Sequence, residues 1–132
     1  KLMLARMREF AASHAGDAQA GEHGAALEEL ASQWQALAVE VAQRSEGDAD
    51  ELGAAAYDFL MFSGYACLAY WWARSVAAAA QASPPAFAQA KRATARFYFE
   101  RILPRAAAHA AAIRAGAPGL MDLDEAAFDL GR

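Results

Sequence analysis

Three histidines and one cysteine are the side chains best suited to metal binding, acid–base catalysis or nucleophilic attack. His14, His23 and His109 lie on separate predicted segments, and none has a second histidine or a carboxylate at the helical spacing of metal ligands. Glu22 is adjacent to His23, so the two side chains point apart. Cys67 lies in an apolar stretch, where a thiol is usually a small inert hydrophobe. The sequence therefore predicts no catalytic, cofactor-binding or metal-binding constellation in these residues.

Charge and composition exclude other classes of site. The glycine-rich segment GDAQAGEHG, residues 16–24, follows no strand and so lacks the context of a phosphate-binding loop. The net charge is −4, from scattered carboxylates, and no nucleic-acid partner is expected. A single cysteine cannot form an internal disulfide, which fits a reducing compartment, and we predict a cytoplasmic location.

A second segment, AKRATARFYFERILPRAAAH at residues 90–109, interleaves basic and aromatic residues. Such a pattern can bind nucleic acid or a phosphate-bearing ligand. It is more typical of a bundle helix whose arginines pair with Glu100 and other carboxylates, which the negative net charge favours. Three consecutive aromatic residues point in three directions and imply burial on more than one side. The candidate interaction residues here are Arg96, Phe97, Tyr98, Phe99 and Arg101.

The composition favours helices throughout. Of 132 residues, 39 are Ala, whereas Val, Ile and Thr together number six. Ala is the best helix former and β-branched residues suit strands. Helix breakers separate segments predicted at about residues 1–14, 25–45, 50–81, 85–115 and 122–128. Because short connections favour antiparallel neighbours, we predict a single all-α domain over residues 1–132, an up-down four-helix bundle with a short C-terminal helix.

Local signals refine three of these boundaries. Pro104 is expected to kink the fourth helix near residues 100–103, because proline removes a backbone hydrogen bond. Gly116 is the predicted end of that helix. Asp122, with Glu125 three residues later, is the predicted start of the last helix.

The most apolar stretch is AYDFLMFSGYACLAYWWARS, residues 56–75. Residues 59–80 carry one charge and are long enough to span a bilayer. Arg74 lies inside that span, where a charge is costly, and no positive flank anchors a topology. We therefore predict a buried helix and no membrane span.

A helical wheel gives this segment two apolar faces. One carries Tyr57, Leu60, Met61, Gly64, Tyr65, Leu68, Trp71 and Trp72, and the other carries Phe59, Phe62, Ala66, Ala69, Tyr70 and Ala73. A helix apolar on both sides is buried on both sides, but a bundle of this size covers only one. The second face therefore needs a neighbouring domain or a second subunit. The candidate interaction residues are Tyr57, Tyr65, Tyr70, Trp71, Trp72 and Arg74.

Two stretches together resemble the C-terminal helical domain of long acyl-CoA dehydrogenases, in the subgroup named for 3-methylmercaptopropionyl-CoA. They are AAAYDFLMFSGYACLAYWWARSV and KRATARFYFERILPRAAAHAAAIRAGAPGLMDLDEAAF, about half of the chain. The first 50 residues are similar only in helical character and order.

The resemblance implies a longer parent flavoenzyme whose catalytic domains lie upstream of Lys1. That parent would carry FAD, remove a proton from the α carbon and a hydride from the β carbon of an acyl-CoA thioester, and pass electrons to an electron-transfer flavoprotein. No catalytic motif of the family maps onto this chain. We therefore expect a fragment that is a non-catalytic module, packed on the catalytic body or a neighbouring subunit of a homo-oligomer.

Two other functions fit the residues. One is a stand-alone helical module that binds a protein or an anionic ligand through the aromatic and arginine residues. The other is a ligand-binding bundle with a pocket between the third and fourth helices, lined by Tyr65, Trp72 and Tyr98.

Overall fold

The computed structural model describes residues 2–18 and 20–129, and these residues form helices and helical turns without a strand. The α-helices are α1 (Leu2–Ser13), α2 (Gly24–Ser45), α3 (Asp50–Ala82), α4 (Pro85–Phe97), α5 (Ala106–Ala115) and the one-turn α6 (Pro118–Met121). The all-α prediction is confirmed. The predicted helix start at Lys1 and the last three residues of the predicted domain lie outside the described residues.

The long helix α3 is the centre of the bundle. It packs against α2, α4 and α5, while α1 packs against α2. Its buried side is made mostly of small residues, which allow the neighbouring helices to approach closely, with Phe62 as the one large side chain that is completely buried. Larger apolar side chains from the other helices fill the space around it, namely Met7, Phe10, Leu27, Leu37 and Ile113.

The predicted fourth helix is interrupted where the sequence indicated. After α4, a π-helical turn (Tyr98–Ile102) and a 3₁₀ turn (Leu103–Arg105) precede α5. Pro104 has no N–H to donate to the carbonyl of Glu100, and its ring displaces that carbonyl. The wider turn accommodates the lost hydrogen bond. The irregular turns lie where the kink was predicted, and the single helix 85–115 is corrected to two α-helices joined by these turns.

The end of the chain differs from the prediction. Gly116 does end α5, with a φ of 73°. The expected α-helix at 122–128 is replaced by α6 and a 3₁₀ turn (Glu125–Phe128). The cap is Asp124, whose Oδ1 accepts the N–H of Ala126 at 2.9 Å. An N-cap residue needs extended backbone, which Asp124 has, whereas Asp122 has helical angles because it ends α6.

A buried carboxylate joins three helix ends. Glu51, 6% exposed, accepts hydrogen bonds from Arg44 Nε at 2.8 Å and from the N–H of Ala117 at 3.1 Å. Arg44 also donates to the carbonyl of Ile113 at 2.7 Å. The Ala117 N–H, and then Arg44, hold the pKa of Glu51 below its ordinary value. These bonds fasten the ends of α2 and α5 to the start of α3.

We expect Glu51→Gln to destabilise the fold and to flatten its acid sensitivity. Because folding lowers the pKa of Glu51, its stabilising contribution is complete above the ordinary value of 4.5 and is lost as the pH falls through the folded-state pKa. Urea unfolding across this acidic range measures the slope. The variant should lose less stability on acidification than the parent, although Glu22 and Glu40, whose pKa values are also lowered, keep part of the slope.

The matched control for this experiment is Glu28→Gln. Glu28 pairs with Arg8 at 3.3 Å with both side chains well exposed, so its loss should change stability by at most about 1 kcal/mol. Equal destabilisation by the two variants would contradict the structural role of Glu51.

Candidate functional site

The side of α3 that faces away from the bundle is apolar and exposed. We call it the outer face of α3, and it consists of Tyr57, Leu60, Gly64, Leu68 and Trp71. The four large side chains are each at least half exposed. They recur every three or four residues and so form one continuous stripe along the helix. The observed burial therefore agrees with the two faces of the helical wheel. The outer face is exposed, and the face opposite to it lies in the core.

The other candidate residues fall into three groups by exposure. Arg74, Arg96, Phe97 and Arg101 are exposed, and Tyr65, Trp72 and Phe99 are partly buried. Tyr70 and Tyr98 are buried within this chain, so the structure does not place them on an exposed face.

The two buried tyrosines have partners inside the bundle. The Tyr70 ring meets Phe10 edge-on with centroids 6.1 Å apart. The Tyr98 hydroxyl donates to the Tyr65 carbonyl at 2.8 Å, and burial raises the pKa of Tyr98. Burial on both sides of α3 is thus achieved in part within the chain.

The first part of the basic and aromatic segment lies in α4 and forms salt bridges. Glu22 accepts hydrogen bonds from Arg92 at 2.7 Å and from Arg96 at 3.4 Å. The Arg92 hydrogen bond is the main reason that the pKa of Glu22 is lowered. Arg96 also pairs with Glu100 at 3.6 Å. This arrangement supports the interpretation of Arg92 and Arg96 as partners of nearby carboxylates, whereas Arg101 and Arg105 form no salt bridge with the described residues.

His23 supports the same helix from inside. Its buried ring stacks on Phe99 with centroids 3.8 Å apart and planes 7° from parallel. Burial lowers the pKa of His23, so the neutral form is favoured. Its Nε2 atom has no hydrogen-bond partner within the part of the chain described here. His23 therefore acts as an aromatic packing residue.

The sequence alone did not reveal a hydrogen-bonded pair between α3 and α5. His109 Nδ1 lies 2.7 Å from Asp58 Oδ1. The Tyr65 ring stacks on His109 at 5.6 Å, and the ring of Tyr57 meets it edge-on at 6.2 Å. The two residues are 51 positions apart, so no local spacing indicates them. The pair joins α3 to α5 beside Tyr57 of the outer face.

An apolar groove adjoins the outer face. It has a volume of about 290 Å³ and is lined by side chains of α2 and α3: Ala38, Val41, Ala42, Leu52, Ala55, Ala56 and Phe59. Leu52 is itself well exposed. The apolar surface thus extends from the α2–α3 groove across α3, and contiguous apolar surface of this kind is typical of interaction sites.

Two further observations limit other kinds of site. Within residues 2–18 and 20–129, no group of three or more His, Cys, Asp or Glu side chains could hold a metal ion. By length and composition, α3 is apolar enough to cross a membrane. The core helix of a bundle can meet the same two criteria, and α3 also carries Arg74 and the Asp58 that bonds His109.

Comparison with known proteins identifies the family. The family described as "Acetyl-CoA dehydrogenase C-terminal like" matches residues 3–124, which includes nearly all of the helical bundle. No curated protein and no solved structure matches the chain. With more than nine-tenths of its length matched, this chain belongs to the acetyl-CoA dehydrogenase C-terminal-like family.

Proposed function

We propose that this chain is the non-catalytic C-terminal module of an FAD-dependent acyl-CoA dehydrogenase, in the subgroup that includes the 3-methylmercaptopropionyl-CoA enzymes. In the parent, the reaction is the α,β-dehydrogenation of an acyl-CoA thioester. The outer face of α3 packs on the catalytic body or on a neighbouring subunit. Family membership supports the parent class, and the exposed apolar stripe on a folded bundle is the observation that carries the docking proposal.

The described residues do not fit a flavin site. Dinucleotides are usually held where a glycine-rich turn joins a strand to a helix, and residues 2–18 and 20–129 contain no strand. The apolar surface of α3 is an outward-facing stripe. We therefore assign no FAD contact to this chain, and FAD belongs to the upstream catalytic domains.

The exposed apolar side chains of the outer face would stabilise a packed interface. Full burial of a large apolar side chain contributes about 1.5–3 kcal/mol, so Leu60, Leu68 and Trp71 together supply several kcal/mol to a packed interface. Gly64 lies in the middle of the stripe, and no atom lies within 4 Å of the position that a Cβ would take there. A partner helix can therefore approach α3 closely at this point.

The parent enzyme is the subject of a wider proposal. We propose a cytoplasmic homo-oligomer whose parent enzyme transfers electrons to an electron-transfer flavoprotein. The pocket lined by Tyr65, Trp72 and Tyr98 is less favoured, because Trp72 and Tyr98 lie with their rings 6.4 Å apart and Tyr98 is buried. The stand-alone interaction module is the remaining alternative.

We expect Leu68→Glu to abolish docking while leaving the bundle stable. Leu68 is half exposed, so a charge there should change the free energy of unfolding by no more than about 0.5 kcal/mol. In an interface the same carboxylate would be desolvated without a partner. The experiment compares wild-type and variant parent chains by limited proteolysis between domains and by light scattering for the oligomer.

Leu2→Glu is the matched control, since Leu2 is an exposed leucine on α1 and undergoes the same chemical change. Docking that is equally strong in the Leu68→Glu chain would overturn the assigned face. An upstream reading frame without a flavoenzyme pattern, or tight FAD binding by residues 1–132 alone, would overturn the assigned function.

A further inference from the structure

A cleft of about 340 Å³ lies between α1 and α3. From α1 and its end, Arg6, Ser13 and His14 line it, and from α3, Tyr70, Arg74 and Gln81 do so. Two arginines from two different helices therefore line one cleft. The volume lies within the range of small-molecule sites, about 300–1,000 Å³.

Both arginines are without an acidic partner. Within the part of the chain that the structure describes, neither Arg6 nor Arg74 has a carboxylate oxygen within 4.0 Å, whereas Arg8, Arg44, Arg92, Arg96 and Arg114 each do. The unpaired charges of Arg6 and Arg74 are thus available to an anion.

Aromatic rings orient Arg74. Its guanidinium carbon lies 5.8 Å from the centre of the Tyr70 ring and 5.3 Å from that of Trp71. Tyr70 is 5% exposed and packs against Phe10, so this wall of the cleft is fixed by the core. A cation–π contact uses no N–H donor, so it leaves the N–H groups of Arg74 available for hydrogen bonds.

On the α1 side, Ser13 and His14 line the cleft, and the Ser13 hydroxyl donates to the carbonyl of Phe10 at 3.1 Å. His14 Nδ1 lies 3.0 Å from the same carbonyl and 2.9 Å from Ser13 Oγ, and the ring stacks on Phe10 at 4.2 Å. Glu9 is the one carboxylate among the lining residues, which leaves an excess of positive charge in the cleft.

We propose that this cleft binds the phosphate group of a small phosphomonoester or diphosphate. Two arginines from opposite walls match the several oxygens of a phosphate, and the planar guanidinium favours bidentate contact with it. The inference does not rest on the docking proposal, because the charged residues that line the cleft, Arg6 and Arg74, are not part of the outer face, although Trp71 of that face contacts Arg74.

The experiment is an NMR titration of the 132-residue chain with sodium pyrophosphate, AMP and adenosine, followed at backbone amides and arginine side chains. Pyrophosphate and AMP should bind saturably and shift signals of Arg6, His14 and Arg74, and adenosine should not. Arg6→Gln and Arg74→Gln should each weaken binding about tenfold, since each removes a charge-assisted hydrogen bond. Glu9→Gln should strengthen it by removing the repelling charge.

Two variants keep the result interpretable. Arg74→Lys retains the charge without the planar fork and should bind with intermediate affinity. Arg101→Gln removes an equal charge outside the cleft and should bind as the wild type does. Equal weakening by Arg6→Gln and Arg101→Gln, or adenosine binding as well as AMP, would overturn the proposal. If the Leu68→Glu chain binds phosphate as the wild type does, the phosphate site is distinct from the docking face.

Discussion

Replacing Phe62 by Ala is expected to lower the free energy of unfolding by about 3–5 kcal/mol, the usual cost of removing a buried aromatic ring. Phe62 is 0% exposed and is the largest completely buried side chain in the described core. Neighbouring positions on the buried side of α3, such as Ala66 and Ala69, are alanines, whose side chains cannot move to fill the cavity. Urea unfolding monitored by circular dichroism measures the loss.

Phe97→Ala is the matched control, because the same ring is 58% exposed there. Its loss should change the free energy of unfolding by about 0.5 kcal/mol or less. If Phe62→Ala is too unstable to purify, Phe62→Leu keeps most of the volume and should show a smaller loss of the same sign. Equal effects at the two positions would contradict the placement of Phe62 in the core and of Phe97 on the surface.

Gly116→Ala is expected to destabilise the bundle by about 1–3 kcal/mol from backbone strain alone. Gly116 has φ 73° and ψ −168°, a region that only glycine adopts readily. A Cβ there would lie 2.7 Å from Glu51 Oε1. To relieve this overlap, the Glu51 carboxylate, which Arg44 and Ala117 hold in place, would have to move. The measured effect should therefore exceed the strain itself.

Gly119→Ala is the control for this substitution. Gly119 has helical backbone, and nothing lies within 4 Å of its Cβ position. Alanine there should be neutral or stabilise by about 0.4–1 kcal/mol through the unfolded state. Thermal unfolding of both variants measures the contrast. A Gly116→Ala chain as stable as the wild type would refute the role of this turn in closing the bundle.

The structure also supplies a reason for the unusual composition of α3. The small residues of its buried side allow α2, α4 and α5 to pack closely around it. Its large apolar residues, except Phe62 and Tyr70, lie mainly at the boundary or on the outer face. An isolated bundle would gain solubility from polar residues at these exposed positions, so their apolar character supports a partner surface.

Composition and local sequence pattern were enough to predict the helices and the breaks between them. Ala-rich sequence has little access to strands, Pro104 must lose a backbone hydrogen bond, and Gly116 can take a backbone conformation that other residues avoid. The wheel likewise separates the two faces of α3, because helical periodicity is a property of the chain itself. The start of the last helix was predicted incorrectly at Asp122. Because α6 extends to the residue before Asp122, Asp124 is the residue whose extended backbone allows it to cap the last turn.

Tertiary structure alone decided which distant polar groups meet. Three pairs show this: Glu51 and Ala117, Asp58 and His109, and Arg6 and Arg74. The two members of each pair are at least 51 residues apart in the sequence, and only helix packing brings them to one place. It also decided that Tyr70 and Tyr98 face inward while Tyr57 and Trp71 remain exposed. Periodicity gives each side chain a direction on its own helix, but which direction is covered depends on how the helices pack against one another.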